Sequence, residues 1–325
     1  MRPLTYLLAA ALTAVALVAC GSDDNKSSST PEKTAAPAST PADTGQIAKN
    51  PANASISLKI GSKNFTEQKI LGEIFAQGLA AAGYNTTTDL NLGDEQTALK
   101  AVKSGQIDAY PEYTGVSQSV VFKQDALPKS PEETQQIVKQ LYEKRGEAVS
   151  DPTPFQDTDA IATTKEFAAK NNLNSVADLK GIPPFTLGAR PEFKNRFNGL
   201  KGMAQVYGVK DNVKFKQLAL GLQYPSLDKG DVDAANVFST DAQLASGKYK
   251  VLADPKGVFG FQNVYFVINK DKYEALGGQE FMDVVNSVNK LLTEEAMTSM
   301  NAAVDLDKKK PADVAKAFLE ANNLL

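Results

Sequence analysis

Two octapeptides far apart in the chain nearly repeat each other: Lys103-Ser104-Gly105-Gln106-Ile107-Asp108-Ala109-Tyr110 and Asp228-Lys229-Gly230-Asp231-Val232-Asp233-Ala234-Ala235. Each reads as the end of a helix, a glycine stop, then a β-branched residue, Asp and Ala entering a strand. The parallel extends in both directions. Thr114 lies nine residues after the first glycine, and Ser239 nine after the second. Upstream, Ile60-Gly61-Ser62-Lys63 and Leu187-Gly188-Ala189-Arg190 each precede a helical stretch, and Leu92-Gly93 and Leu220-Gly221 each precede the next. Any α/β protein repeats strand–Gly–helix units, but three matches in one order favour an internal pseudo-repeat over chance. Such a chain is expected to fold as two similar open α/β lobes. Length agrees, since the roughly 270 residues after position 54 exceed one ordinary domain and fit two.

The first half of the repeat places chemistry at one end of a sheet. A short apolar strand (residues 55–61) runs into the polar loop Ser62-Lys63-Asn64-Phe65 and out into a helix. Apolar residues then recur at Ile70, Leu71, Ile74, Phe75, Gly78, Leu79 and Ala82, one face of a 3.6-residue period. A second strand, residues 107–110, carries Asp108 and Tyr110, with Tyr113 just beyond. Cations and hydroxyls after one strand and aromatics after another suit a ligand cleft at the carboxyl ends of an open sheet.

Composition closes off most catalytic chemistry. The chain has no histidine and no tryptophan, and its one cysteine is Cys20. That removes the commonest general base, the usual partner of a Ser or Cys nucleophile and the commonest metal ligand. No metal or cofactor is implied, and neither GxGxxG nor GxxxxGK[ST] occurs. A formal charge of −3 with mixed signs gives no reason to expect nucleic acid as a partner. Carboxylate catalysis survives as an alternative. Asp157 and Asp159 are the close acid pair near the expected cleft, and they are expected to point to opposite strand faces.

The N-terminus reads as an address. Arg2 precedes an apolar run from Leu7 to Ala19, too short for a comfortable membrane span and suited to a signal-peptide core. Leu17-Val18-Ala19-Cys20 resembles a bacterial lipobox, which makes Cys20 the expected lipidation site. A plain secretory signal containing a cysteine is the alternative. Residues 21–53 hold almost no large apolar side chain, so they are expected to form a disordered tether, with folded structure beginning near Ala54. The protein is then extracytoplasmic and lipid-anchored.

From residue 54 to the C-terminus the chain resembles the substrate-binding proteins of ABC importers for glycine betaine, choline and related osmoprotectants. The wording that carries this is KIGSKNFTEQKILGEIFAQGL, SGQIDAYPEYTG, GLQYPSL, the Ser239-Thr240-Asp241 turn and the closing Pro311-Ala312-Asp313-Val314-Ala315. The resemblance implies a two-lobe periplasmic-binding-protein fold with two chain crossovers at the hinge. The crossings are expected near residues 152–158 and 258–263, giving lobe 1 as 54–155 plus 261–325 and lobe 2 as 156–260.

It also implies a ligand set. Aromatic faces attract a quaternary ammonium that has no N–H to donate, each contributing about 0.5–2 kcal/mol. Tyr110 and Tyr224 match the family's cage tyrosines, with Tyr113 a further wall or a core residue; an ordinary half-buried tyrosine is the alternative for all three. Two positions depart from the pattern: Asp159 stands where an Asn-Thr-Tyr-type motif ends, and Gln262 near the return hinge where an aromatic is usual. An acid there tolerates ligands with N–H groups as well. Lys63 and Arg190 hold parallel places in the two lobes and are expected to clamp a ligand carboxylate, which favours glycine betaine over choline; exposed surface charges are the alternative. Asn64 and Thr66 lie at the start of the first helix, Asp108 at a strand end, and Thr240 on the cleft floor. Glu192 and Arg196 read equally well as cleft residues or as a structural ion pair. The implied partners are a small osmolyte, an ABC permease with a separate ATPase subunit, and the membrane through the lipid anchor, the protein itself being a monomer. An alternative is a receptor for another cationic or zwitterionic molecule, or a carboxylate-based enzyme on the same scaffold.

Overall fold

The computed structural model describes residues 47–325. Cys20, the signal segment and most of the expected tether lie outside the described residues. Among those residues, no helix is long and apolar enough to cross a membrane.

Packing begins earlier than residue 54. Asn50 caps a short 3₁₀ turn, Pro51–Ser55, by accepting from the Ala52 amide at 3.0 Å. The buried Asn53 donates to the Ala82 carbonyl at 3.0 Å, and Ile47 packs on the core behind it. Asn and Pro count as linker residues by composition, but Asn at a cap followed by Pro in the first turn also starts a helical segment.

Among the described residues, ten strands form two five-stranded sheets. The first takes β1 (Ser57–Gly61), β2 (Asn85–Asp89), β3 (Ala109–Tyr113), β4 (Glu147–Val149) and β10 (Val264–Asn269) in the order β2-β1-β3-β10-β4. The second takes β5 (Asp159–Thr164), β6 (Phe185–Ala189), β7 (Val213–Gln217), β8 (Ala234–Phe238) and β9 (Tyr249–Leu252) in the order β7-β6-β8-β5-β9. The two orders correspond strand for strand. In each, two parallel pairings on one side give way to two antiparallel pairings on the other. The chain passes between sheets twice, once between β4 and β5 and once between β9 and β10. The passing segments meet in an antiparallel bridge between Gln156 and Asn263.

The octapeptide repeat explains this correspondence at atomic level. Gly105 and Gly230 end their helices in the left-handed region, at φ +73° and +70°, where a Cβ would be strained. The following Asp then clasps the neighbouring parallel strand. Asp108 accepts from the Lys59 amide at 2.8 Å, and Asp233 from the Thr186 amide at 2.7 Å. Their own amides return the bond to the Lys59 and Thr186 carbonyls.

Helix α1 (Thr66–Ala81) follows β1 and buries Ile70, Leu71, Ile74, Phe75, Gly78 and Leu79, the face expected from periodicity. It packs against the sheet on one side and the C-terminal helices Gln279–Asn289, Glu294–Asp305 and Pro311–Ala321 on the other. Helix α2 (Glu95–Ser104) and helix Pro131–Arg145 cover the opposite face of the first sheet. The second sheet has its own core around Phe185, Leu187, Phe193 and Phe259.

Candidate functional site

Between the lobes lies a cavity of about 370 Å³, lined from the first lobe by Lys63, Asn64, Phe65, Glu95 and Tyr113 and from the second by Asp159, Arg190 and Phe238. Asp157 and Gln262, on the two crossing segments, complete its wall. The geometry follows from the folds of β1 and β6. Each parallel strand ends by releasing its loop toward the facing lobe, so Lys63 and Arg190 arrive from opposite sides.

Both cations are already paired inside their own lobes. The Lys63 ammonium sits against the Glu112 carboxylate, with both side chains buried, and lies 4.5 Å from the Tyr113 ring centre. Glu112 also accepts from the Tyr113 amide at 2.8 Å and from the Tyr110 hydroxyl at 3.3 Å. Burial still holds Glu112 above the usual carboxylate range, more than Lys63 draws it down. Arg190 grips Asp159 with two parallel bonds, at 2.7 and 2.9 Å, and also donates to Asn236. Burial alone would raise Asp159, but the guanidinium and the bonds from Arg190 and Asn236 hold it below the usual range. A ligand carboxylate therefore competes with Glu112 and Asp159 for the two cations.

The aromatic wall differs from the expected cage. Tyr110 does not reach the cavity: it is fully buried among Ala98, Ile107, Val138, Tyr142 and Tyr265. Residues three apart on a strand face opposite ways, so β3 sends Tyr110 into one core and Tyr113 to the cleft side. Asp108 is likewise removed from the site, since it is the strand clasp described above and pairs with Lys272 at 3.2 Å. Tyr224 donates to Asp241 at 2.8 Å and tilts against Tyr249, lining a second cavity rather than the first. The rings that do line the first cavity are Tyr113, Phe65 and Phe238. Phe65 stacks on Phe238 at 5.4 Å and 11°, and on Tyr113 at 6.1 Å and 25°. This three-ring stack runs from one lobe to the other. Phe65 belongs to the SKNF loop and Phe238 immediately precedes the Ser-Thr-Asp turn, so position within or beside a motif is the signal that points to them.

Beyond the Phe65–Phe238 pair lies the second cavity, about 340 Å³, which shares Asn64, Phe65, Asp157 and Phe238 with the first. Thr66, Glu67, Thr240, Asp241 and Asn301 line it, and the Thr66 hydroxyl is bonded to Asp305 at 2.6 Å. Thr240 from the second lobe meets Glu67 of α1 at 2.6 Å and Asp157 at 2.9 Å. Asp157 and Asp159 line the same cavity, contrary to the expected opposite faces. Positions i and i+2 along an extended segment point the same way. They are still not an equivalent acid pair, because Asp159 is neutralised by Arg190.

The hinge and a latch complete the site. Gln262 is spent on structure, accepting from the Val116 amide at 3.1 Å and donating to the Phe259 carbonyl at 3.0 Å. Thr114 and Ser239, the repeat-related residues, tie their lobes to the opposite crossing segments: the Thr114 amide bonds the Asn263 carbonyl at 3.0 Å, and the Ser239 amide the Thr158 carbonyl at 2.9 Å. Arg196 does not pair with Glu192. Its Nη2 reaches across the cleft to both oxygens of Glu95, at 2.6 and 2.7 Å. Among the described residues no group of acidic, histidine or cysteine side chains is arranged to hold a metal ion.

Residues 56–321 match the family described as the substrate binding domain of ABC-type glycine betaine transport systems. The chain is 34% identical over 279 residues to a glycine-betaine-binding protein of Pseudomonas aeruginosa, covering 82% of this chain and 88% of that one. It is 30% identical over 269 residues to an ergothioneine transport permease/ergothioneine binding protein of Helicobacter pylori, covering 81% of this chain and 47% of that longer one. Among solved structures, one described as a glycine betaine/carnitine/choline ABC transporter superposes with a TM-score of 0.66 at 25% identity, over 81% of this chain and 97% of that one. That structure and this chain share the two-lobe periplasmic-binding-protein fold.

Proposed function

Because the chain belongs to the family of substrate-binding domains of ABC-type glycine betaine transport systems, we propose that it captures a small quaternary ammonium osmolyte between its lobes and delivers it to a permease. ATP hydrolysis belongs to a separate subunit. Cys20, once lipidated, keeps the receptor at the outer face of the cell membrane, with the residues after it acting as the tether. The observation that carries this reading is the Tyr113–Phe65–Phe238 stack, which brings aromatic faces from both lobes to one cavity. A cation held against those faces gains about 0.5–2 kcal/mol per ring without needing an N–H. Because the ligand touches both lobes, it favours the closed form over the open one. Closure is the message the permease reads.

Lys63, Asn64, Tyr113, Asp159, Arg190 and Gln262 frame the ligand in this reading, while Thr66, Tyr224 and Thr240 shape the adjoining cavity. The second cavity favours a wider ligand range than glycine betaine alone, because the Phe65–Phe238 pair is the partition between two connected spaces. Thermal-shift titration with glycine betaine, choline, carnitine and ergothioneine tests this. A receptor gains stability as RT ln(1 + [L]/Kd), so at least one of these should raise the melting temperature in a saturable way. No shift with any of them would sink the reading. For the anchor, Cys20→Ser should release the protein from membranes with ligand affinity unchanged. A variant still membrane-bound after signal cleavage would refute lipidation.

A further inference from the structure

Three buried carboxylates line the main cavity: Glu95, Asp157 and Asp159. Glu95 is held by Arg196 and Asp159 by Arg190. Asp157 has no cation beside it among the described residues. It is 5% exposed, and the one hydrogen bond of its side chain among the described residues joins Oδ1 to the Thr240 hydroxyl. Its second oxygen, Oδ2, has no partner, and the residue forms part of the wall of both cavities.

Proton counting makes this site unusual. The Thr240 hydroxyl has one hydrogen, yet its oxygen lies 2.6 Å from Glu67 and 2.9 Å from Asp157. With both acids ionised, one of those contacts would set two lone pairs against each other. With a proton on Asp157, the chain is complete: Asp157 donates to Thr240, and Thr240 donates to Glu67. The proton belongs on Asp157 because Glu67 has two further donors, the Tyr113 hydroxyl at 2.8 Å and Asn301 Nδ2 at 3.0 Å. Burial first, then the charge of Glu67, then Asp241, push the Asp157 carboxyl well above its usual range.

We propose that Asp157 is the carboxylate that meets the cationic head of the ligand, and that the head enters in exchange for the one proton Asp157 and Glu67 share through Thr240. No bond of the ligand changes; the proton leaves Asp157 for solvent and the fixed positive charge takes its place beside Oδ2. This inference rests on the receptor reading above and assigns its counter-charge. It also distinguishes ligands: a permanent cation displaces the proton, while a neutral molecule leaves it where it is.

The sign follows from linkage. Binding releases a proton only where the free protein holds one, so affinity is level above the titration of free Asp157. Below it, affinity falls by up to about tenfold per pH unit. Because Asp157 is raised, the fall begins above the ordinary carboxylate range. The other charged or titratable groups facing it are Glu67 on α1, Lys63 and Glu112 beneath Tyr113, Asp159 with Arg190, Asp241 with Tyr224, and Asp305 beside Thr66. Asp241 is also raised by burial, to about 6, so its own titration must be held constant by the comparison. There is no histidine to contribute.

The experiment is calorimetric titration of glycine betaine and of tetramethylammonium, which carries the charge without a carboxylate, across a pH series and in buffers of different ionisation enthalpy. Wild type should release up to one proton per ligand and bind more weakly on acidification. Asp157→Asn should bind at least tenfold more weakly at high pH, release no proton and lose the pH dependence. Glu67→Gln removes the neighbouring charge, so proton release and the onset of weakening should both move to lower pH; this variant decides the matter if Asp157→Asn does not fold. Binding without proton release in wild type, or an unchanged proton count in Asp157→Asn, overturns the exchange while leaving the receptor intact. Failure of both probes to bind at any pH overturns the exchange, and the receptor reading falls with it only if choline, carnitine and ergothioneine also give no thermal shift.

Discussion

Lys63 and Arg190 stand at equivalent places in the two lobes, each in the loop released by a central parallel strand, and each faces an acid of its own lobe. Their partners respond oppositely. Arg190 holds Asp159 below the usual carboxylate range through two parallel bonds supported by Asn236. Lys63 offers Glu112 a point charge, and burial keeps that acid raised. A planar, always-charged fork pre-organised for a carboxylate outperforms a flexible ammonium at the same address. One backbone plan, used twice, thus produces a fixed ion pair in the second lobe and a softer, protonatable pair in the first.

That asymmetry can be broken by mutation. Arg190→Ala strands a buried Asp159 and should lower unfolding free energy by about 3–5 kcal/mol. Lys63→Ala should cost less, about 1–3 kcal/mol, because burial already holds Glu112 above the usual carboxylate range with Lys63 in place. Urea unfolding of both variants measures the difference, and equal losses would refute the contrast.

The two tyrosines of β3 and the phenylalanine of β8 sharpen the division between core and cleft. Tyr110→Ala opens a hole in a fully buried core and should destabilise by about 3–5 kcal/mol, with ligand affinity unchanged in the folded fraction. Phe238→Ala should do the reverse, weakening affinity by roughly tenfold through loss of one aromatic face with a smaller loss of stability. Calorimetry beside thermal melts separates them; an affinity loss in Tyr110→Ala would restore that residue to the cage.

The latch has no counterpart within either lobe. Arg196→Ala removes its two contacts to Glu95, and affinity should fall about three- to tenfold, equivalent to about 0.7–1.4 kcal/mol, through faster ligand release. Stopped-flow dissociation would show it, and an unchanged off-rate would make the pair incidental to closure. The smallest effects are expected where the lobes are most alike. Asp108→Asn and Asp233→Asn each weaken one charge-assisted bond to a strand amide, and each should cost about 1 kcal/mol without touching affinity. The pair Asp108 makes with Lys272 is worth at most about 1 kcal/mol at the surface, so losses that differ by more than that would show that the clasp is not a shared device.

Much of this was legible beforehand. Glycine stops, β-branched entries and the α1 periodicity are local signals, so the two lobes and the order of their units could be read from spacing. Motif membership was legible too: SKNF and YPEYTG border the first cavity and the Ser-Thr-Asp turn the second. The choice among members was not. Tyr110 and Tyr113 are the same residue type three positions apart, and the pleat alone decides which faces the cleft. Asp108 looked like a ligand residue because it ended a strand, whereas its repeat partner Asp233 shows the same side chain doing backbone work.

The sequence by itself determined the repeat, the helix faces, the polar loops after β1 and β6, and the absence of histidine and of any thiol beyond Cys20, because these are properties of residue type and local spacing. Tertiary structure alone decided which charges are neutralised. Glu67, Asp157 and Thr240 come from a helix, a crossing segment and a turn, and nothing local says that they meet. Whether a buried carboxylate finds a guanidinium, an ammonium or only another acid depends on contacts across long stretches of chain. That pairing is what separates Asp159, fixed as an ion, from Asp157, two residues earlier and without a cation.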